Sequence, residues 1–236
     1  MKIQTFLLPA EATDSIYKGK PAVVIDVLRA STSIVAAKAN GAEKVIPVAT
    51  IEAATRLAAT LDRESTLLCG EREGRRIDGF HLGNSPREFG AAAVTGKTII
   101  MTTTNGTEAI ARLEGAREIV VCGLVNVSAV ANHLRSEPEI VIACSGRDDR
   151  FSLEDAVCAG ALISRLRDLG AASALDDAAA ACELLYAIHG ADLRGCLRGA
   201  AHGRYLADLG FGDDLDDCAA VDTQTTVPVV REGRIV

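Results

Sequence analysis

The chain has 236 residues, of which 48% are hydrophobic and 24% charged, and no stretch approaches the roughly 20 uninterrupted apolar residues that span a bilayer. The formal net charge is −7 and no basic cluster is visible, so a nucleic-acid partner is not expected. Aromatic residues make up 3% and Trp is absent, which leaves few surfaces for stacking on bases or sugars. These properties favour a small, highly charged ligand and no membrane partner.

The cysteines and the N-terminal residues indicate where in the cell the protein is located. All seven cysteines occur singly, without a C-x-x-C pair, which fits neither a disulfide framework nor a zinc site. The first residues contain one Lys, a short apolar run and early acids, so we expect no cleaved signal peptide. We therefore expect a cytoplasmic protein.

Short β-rich stretches alternate with Ala-rich helical patterns in the first part of the chain. The predicted strands are at 3–9, 21–27, 44–48, 66–70, 97–103, 118–123 and 139–144. The predicted helices between them are at 31–40, 51–61, 106–113 and 127–134. Several strands are apolar on both faces, so helices should cover both sides of a largely parallel or mixed sheet. The prediction is a three-layer α/β/α fold.

From about residue 151 to residue 220 the pattern is mostly helical, and a short hairpin signal follows at 227–236. No linker, low-complexity tract or fixed repeat is present. We expect the helices to form a C-terminal cover over the sheet, within one α/β domain that spans residues 1–236.

In parallel sheets, ligands bind outside the carboxyl ends of the strands, so the polar residues that follow each strand are candidates. After the second strand come Asp26, Arg29, Ser31 and Thr32, where a helix start and an arginine could bind an anion. An alternative is that Ser31 or Thr32 is an ordinary helix cap and that Asp26 is the buried partner of Arg29.

A long Gly-containing loop supplies the second set of candidates, Glu71, Arg72, Asn84 and Ser85. Its alternative roles are a solvated surface loop and, for residues 84–86, a helix cap.

The third set is Thr103, Thr104, Asn105, Gly106 and Thr107, where a glycine would let the backbone approach a phosphate closely. This is not a P-loop because the pattern and its Lys are missing, and a threonine-rich strand with a turn is the alternative.

The fourth set follows the strand that ends near Cys144. Cys144 and Arg150 have the C-x₅-R spacing of cysteine phosphatases, but Asp148 and Asp149 would repel a phosphate there. Further along, Glu154 and Asp155 are either helix-start acids or oxygen ligands suited to Mg²⁺.

Two further groups of residues are weaker candidates for the site. The acids at 213–222 are typical of a solvated helix end. The four histidines form no close ligand pair, so each is expected to be structural or exposed; they are His81, His133, His189 and His202.

Four sequence blocks, in order, carry a resemblance over most of the chain. They are VVIDVLRASTSI, then GEREG with IDGFHLGNSPREF, then TTTNGT, then CSG with FSLEDAVCAG. This order resembles the 2-phosphosulfolactate phosphatase family of coenzyme M biosynthesis. The resemblance implies an α/β enzyme that uses Mg²⁺ to hydrolyse 2-phospho-3-sulfolactate to 3-sulfolactate and phosphate. The site residues it implies are Asp26, Arg29, Ser31, Thr32, Glu71, Arg72, Asn84, Ser85, Thr103 to Thr107, Ser145, Gly146, Glu154 and Asp155.

The working hypothesis assigns roles within that set. Mg²⁺ is held by Asp26 with at least one of Glu154 and Asp155, while Arg29 and the amides at 31–32 and 104–107 bind the phosphate. Arg72 binds the sulfonate or the carboxylate, and either Asp26 or a metal-activated water attacks phosphorus.

Several alternatives stay open at this point. The substrate could be another phosphorylated hydroxy acid, or the protein could bind such a metabolite without turning it over. One departure from the family pattern is His81, where an acid is expected. We also expect a homo-oligomer.

Overall fold

The computed structural model describes the backbone of residues 1–236 and every side chain except those of residues 9 and 14. The strands are β1 (Lys2–Phe6), β2 (Pro21–Ile25), β3 (Lys44–Pro47), β4 (Thr66–Arg72), β5 (Arg75–Arg76), β6 (Thr98–Thr102), β7 (Glu118–Cys122), β8 (Glu139–Cys144), β9 (Ala174–Leu175), β10 (Val229–Arg231) and β11 (Arg234–Ile235). The α-helices are α1 (Asp14–Tyr17), α2 (Ala30–Ala39), α3 (Ile51–Ala58), α4 (Ala91–Val94), α5 (Gly106–Arg112), α6 (Val127–Leu134), α7 (Leu153–Asp168), α8 (Asp177–His189), α9 (Leu193–Gly199), α10 (Ala201–Asp208) and α11 (Gly212–Cys218).

The strands form one 11-stranded sheet in the order β5-β4-β6-β3-β11-β10-β7-β2-β8-β1-β9. Strands β4, β6 and β3 make one parallel group, and β7, β2, β8, β1 and β9 make another. The C-terminal hairpin β10–β11 lies between the groups and pairs antiparallel with β7 on one side and β3 on the other. The sheet is therefore mixed, and the end of the chain joins its two parallel parts.

Helices cover both faces of the sheet because its central strands are apolar on both faces. In β2, Val23 and Ile25 pack into a core with α6 and α7, whereas Ala22 and Val24 pack into a second core on the other face. Successive side chains of a strand point to opposite faces, which gives these two cores from one strand. The three-layer α/β/α prediction is confirmed.

The C-terminal helices cover the sheet near the carboxyl ends of its strands. Helix α7 packs against α6 and α8, while α10 and α11 pack against each other. Tyr205 of α10 donates a hydrogen bond to the carbonyl oxygen of Glu73, at 2.9 Å, which fixes α10 over the β4–β5 turn. None of the helices that the structure describes is long and apolar enough to cross a membrane.

Each strand and helix expected from the alternating pattern is present, and so are the later helices and the hairpin. The first strand ends at Phe6, earlier than expected, and the short strands β5 and β9 were not expected. All seven cysteines are unpaired and buried. A single domain, a cytoplasmic location and a homo-oligomer stay predictions.

Candidate active site

A cavity of about 540 Å³ lies outside the carboxyl ends of the strands. Its lining contains predicted residues from three of the four candidate segments, namely Asp26, Arg29, Glu71, Arg72, Asn84, Thr104 and Asn105. A larger cavity of about 710 Å³ lies beside the C-terminal hairpin, but Thr107 is the one predicted residue that lines it. We place the site in the smaller cavity because the candidate side chains converge there.

Asp26 directly follows β2 and is buried at the base of this cavity. Its Oδ1 accepts a hydrogen bond from the backbone N–H of Ala30 at 3.2 Å, and its own N–H donates to Oγ of Ser31 at 2.9 Å. Burial raises the pKa of Asp26 to about 6, with His202 opposing the shift and Glu71 and Glu154 adding to it. This carboxyl group can therefore change its charge near neutral pH.

The segment 103–107 passes over Asp26 at a glycine. A Cβ atom on Gly106 would lie 2.7 Å from Oδ2 of Asp26 and 2.5 Å from Cβ of Ala30, so no larger residue fits without movement. Thr103 and Thr107 hydrogen-bond each other's backbone N–H groups at 3.1 and 3.2 Å. The close approach of this loop to the carboxylate depends on Gly106.

Glu71 links two loops at the wall of the cavity. Its Oε2 accepts from the N–H of Gly74 and its Oε1 from the N–H of Thr104, both at 2.8 Å. Arg72 donates to the carbonyl oxygen of Glu71 at 2.7 Å and to Oγ1 of Thr102 at 3.0 Å. Both oxygens of Glu71 are thus engaged, whereas the anchored guanidinium of Arg72 lines the cavity.

Arg29 is held by Asp214, which belongs to the acidic stretch predicted to be a solvated helix end, and for this buried residue the prediction is wrong. Its guanidinium lies 2.8 Å from Oδ2 of Asp214, donates to the carbonyl oxygen of Gly74 at 2.7 Å, and lies 4.4 Å from the centre of the Phe211 ring. Ser85 donates to the other oxygen of Asp214 at 2.7 Å. The buried partner of Arg29 is therefore Asp214 and not Asp26.

The hydroxyls after β2 serve the local backbone. Oγ of Ser31 accepts from the backbone N–H of Asp26, and Oγ1 of Thr32 donates to the carbonyl oxygen of Val27 at 3.0 Å.

Asn84 contacts this segment through its backbone and leaves its side-chain oxygen without a partner. Its carbonyl oxygen accepts a hydrogen bond from Oγ of Ser33 at 2.8 Å, whereas Oδ1 of Asn84 is buried without a hydrogen-bond partner. Asn84 lines the cavity and is available to a ligand.

Asp155 ties the carboxyl ends of β2 and β8 together. Its Oδ1 accepts from the N–H of Val27 at 2.8 Å, and its Oδ2 accepts from Oγ of Ser145 at 3.1 Å and from the N–H of Gly146 at 3.2 Å. Burial, with the nearby charges of Asp26 and Glu154, raises the pKa of Asp155 well above its ordinary value. Ser145 and Gly146 thus contact Asp155, and neither lines the Asp26 cavity.

Glu154 is buried and faces a histidine. Its Oε1 lies 3.4 Å from Nδ1 of His202, an ion-pair distance, but no hydrogen bond is aligned on that oxygen. Burial opposes its ionisation, yet His202, the backbone and Ser152 together leave the pKa of Glu154 lowered. Glu154 therefore carries a negative charge close to Asp26.

A divalent cation fits these carboxylates chemically. Burial raises the pKa of Asp26 and Asp155, and Oε1 of Glu154 accepts no hydrogen bond, so a nearby cation would favour the ionised forms of these carboxyl groups. The described residues contain no group of three or more His, Cys, Asp and Glu side chains that could hold a metal ion. Mg²⁺ is commonly held by one or two carboxylates together with substrate phosphate oxygens, so Asp26, with Glu154 from the wall of an adjoining cavity, would be the carboxylates to hold it.

The residues of the cavity wall that sequence reasoning did not place in the site include Arg147, His202 and Tyr205. His202 and Tyr205 come from α10, far along the chain from the strand ends, and no local pattern marks them. Arg147 lies between Cys144 and Arg150, and the C-x₅-R spacing of those two residues assigns it no role.

The residues of the cysteine motif, Cys144 and Arg150, do not line the Asp26 cavity, and neither does His81. Cys144 is buried, and burial raises the pKa of its thiol well above the ordinary value, so a thiolate nucleophile is not favoured. His81 lines a separate cavity with Thr55 and Arg63, and its Nδ1 accepts from the N–H of Leu68 at 2.9 Å.

Comparison with known proteins gives one consistent result. The model of the 2-phosphosulpholactate phosphatase family matches residues 6–233. A probable 2-phosphosulfolactate phosphatase of Caldanaerobacter subterraneus is 40% identical over 99% of this chain and 97% of its own length. Similar proteins with the same description come from Gloeobacter violaceus, at 42% identity over 97% of this chain and 94% of theirs, and Thermotoga maritima, at 41% over 91% and 90%.

The α/β/α fold, a strand-end cavity around a buried carboxylate, and these matches define a phosphoric monoester hydrolase. Its cavity is lined by arginines and loop amides of the kind that bind small anions. The chain belongs to the 2-phosphosulpholactate phosphatase family.

Proposed function

We propose that the protein hydrolyses the phosphate ester of 2-phospho-3-sulfolactate, giving 3-sulfolactate and inorganic phosphate, with Mg²⁺ as cofactor. The observation that carries this proposal is Asp26, a buried carboxyl group at the end of a central strand that faces an arginine-lined cavity. The names of the relatives, which share 34–42% identity with this chain, support the choice of substrate.

The phosphate group would lie between Asp26 and the segment 103–107. Asn105 lines the cavity, and Gly106 lets the backbone come close to Asp26. In the described chain, the backbone N–H groups of residues 105 and 106 donate to no protein acceptor, so they are available to phosphoryl oxygens. Asn84 also lines the cavity, and since its unpartnered Oδ1 is an acceptor, it would contact a cation or a water rather than the phosphoryl oxygens.

In phosphate ester cleavage the transferred group carries negative charge spread over its oxygens, so the site must supply positive charge. Mg²⁺, when bound by Asp26 and Glu154, would supply much of that charge. Asp155 would keep the loops after β2 and β8 in register with each other through its three hydrogen bonds. Asp214 would hold the guanidinium of Arg29 in place in the cavity wall.

The proposal is tested by phosphate release from a panel of substrates: 2-phospho-3-sulfolactate, 2-phospholactate, phosphoglycolate and 3-phosphoglycerate. Purified protein is assayed with Mg²⁺ and with EDTA. Mg²⁺-dependent release that is fastest from the sulfonated ester is the expected result. Faster phosphate release from another ester would support a phosphatase but contradict the proposed substrate. Undiminished release in EDTA would contradict Mg²⁺ as the cofactor.

A further inference from the structure

The arginines of the active-site cavity differ in how their charge is balanced. Arg29, Arg72 and Arg147 all line the cavity. Arg29 is neutralised by Asp214 in a fully buried ion pair at 2.8 Å. Arg72 and Arg147 have no buried acidic partner among the described residues, so they are the cations most available to a bound anion.

The proposed substrate carries three acidic groups, a phosphate, a carboxylate and a sulfonate. The cavity is also lined by acids, which are Asp26, Glu71, Glu73 and Asp148. Anionic groups that leave water near these acids each need a cation or a set of donors of their own. With the phosphate placed at Asp26, two anionic groups and two available arginines remain.

We propose that Arg147 binds the sulfonate and thereby determines the preference for a sulfonated phosphate ester, an inference that rests on the proposed function. Arg72 then takes the carboxylate. Arg147 stands on the loop between β8 and α7, a segment that contributes no other cation to the Asp26 cavity.

The contacts of Arg147 prepare it for this role. Its guanidinium carbon lies 4.2 Å from the centre of the Tyr205 ring, and the hydroxyl of Tyr205 is fixed by the carbonyl oxygen of Glu73. Stacking orients the planar guanidinium and leaves the N–H groups at its edge free to bind a ligand. Its ion pair with Asp148, at 3.4 Å, involves a side chain that is 68% exposed, so a ligand can compete with it.

The position of Arg147 favours the sulfonate over the carboxylate. The carboxylate is attached directly to the carbon that bears the phosphate ester, whereas the sulfonate is one carbon further away. Arg72 is anchored beside Glu71 and Thr102, next to the phosphate loop. Arg147 instead lines both the Asp26 cavity and an adjoining cavity of about 640 Å³, so it lies where the more distant group would reach.

The test compares Arg147→Met with Arg150→Met. Methionine keeps much of the length of the side chain and its packing on Tyr205 while removing the charge. Arg150 is exposed on the same loop and lines the adjoining cavity but not the Asp26 cavity, so its variant controls for the loss of one positive charge near the same loop. Each variant is assayed with 2-phospho-3-sulfolactate and with 2-phospholactate, which has a methyl group in place of the sulfonated carbon.

For Arg147→Met, kcat/KM on 2-phospho-3-sulfolactate should fall by about 10- to 100-fold, the effect of losing a charged hydrogen bond, mainly through KM. Its kcat/KM on 2-phospholactate and both values for Arg150→Met should change less than about 3-fold. An equal fall of kcat/KM on both substrates would show that Arg147 binds the phosphate or the carboxylate, which both esters share. An unchanged kcat/KM on 2-phospho-3-sulfolactate would show that Arg147 does not bind the substrate. Either result overturns the inference.

A binding measurement separates this inference from the proposed function. Titration calorimetry with 3-sulfolactate needs no turnover, and the Kd should rise by about 10- to 100-fold in Arg147→Met but not in Arg150→Met. If the wild-type protein releases phosphate from neither ester, the proposed function fails, and calorimetry still decides whether Arg147 binds a sulfonate. Equal affinities of the wild type and Arg147→Met for 3-sulfolactate would overturn the inference alone.

Discussion

Arg29 and Asp214 form a buried ion pair at 2.8 Å between groups that stand 185 positions apart in the chain. The pair joins the loop after β2 to helix α11, and Ser85 donates to the second oxygen of Asp214. Three separate segments thus meet at one carboxylate in the wall of the active site. The position of Arg29 in the cavity depends on a residue near the C-terminus.

Replacing Asp214 tests this dependence. Asp214→Ala leaves the Arg29 charge buried and unpaired, which costs about 3–5 kcal/mol of unfolding free energy. Asp213→Ala removes the neighbouring exposed partner of Arg87 and should cost about 0–1 kcal/mol. Urea unfolding of both variants measures the difference. Equal losses of unfolding free energy would show that the buried ion pair stabilises the fold no more than the exposed one.

Gly106→Ala tests the close approach of the phosphate loop to Asp26. The added carbon would lie 2.5 Å from Cβ of Ala30 and 2.7 Å from Oδ2 of Asp26, so the loop must move. We expect turnover to fall by about 100-fold, since small misplacements of catalytic groups are that costly, and stability to fall by about 1–3 kcal/mol. Gly212→Ala, where nothing lies within 4 Å of the added carbon, is the matched control and should behave as the wild type.

The raised pKa of Asp26 predicts a pH-dependent effect on stability. Its folded value of about 6 lies above the ordinary 3.8, so the folded state binds the proton more tightly and ionisation destabilises it. The penalty is absent below pH 3.8, grows through the interval up to about 6, and is complete above it. Asp26→Asn, assayed in EDTA, should therefore raise the unfolding free energy by about 3 kcal/mol at pH 8. At pH 4 it should do so only slightly, and an equal effect at both pH values would contradict the assignment.

The identity of the nucleophile is tested at Cys144. Because burial keeps the pKa of this thiol high, Cys144→Ser should retain turnover within about 3-fold of the wild type. Chelation of Mg²⁺ by EDTA should abolish turnover, and added Mg²⁺ should restore it. A cysteine phosphatase would show the reverse pattern in the same phosphate-release assay.

The sequence predicted the parts of the structure that depend on local pattern. Runs of β-branched residues identify the central strands, and polar residues directly after them identify Asp26 and the segment 103–107, because the carboxyl ends of parallel strands meet at one edge. The position of the hairpin β10–β11 between two parallel groups was not predicted, since strand order depends on pairing between distant segments.

The residues that were missed share a physical reason. His202, Tyr205 and Asp214 reach the cavity or its wall from α10 and α11, and only the packing of these helices over the strand ends gives them a role. Asp214 stands in an acidic stretch in which Asp213 and Asp217 are exposed partners of Arg87. Its burial, which distinguishes it from those neighbours, is a tertiary property that no local pattern carries.

The most direct test of the account is phosphate release from 2-phospho-3-sulfolactate by the wild-type protein and by Asp26→Asn, side by side with Mg²⁺. Asparagine keeps the shape and removes the charge, so turnover should fall by on the order of 10³ or more while circular dichroism shows an intact fold. Near-normal turnover by Asp26→Asn would contradict the central place given to this carboxylate.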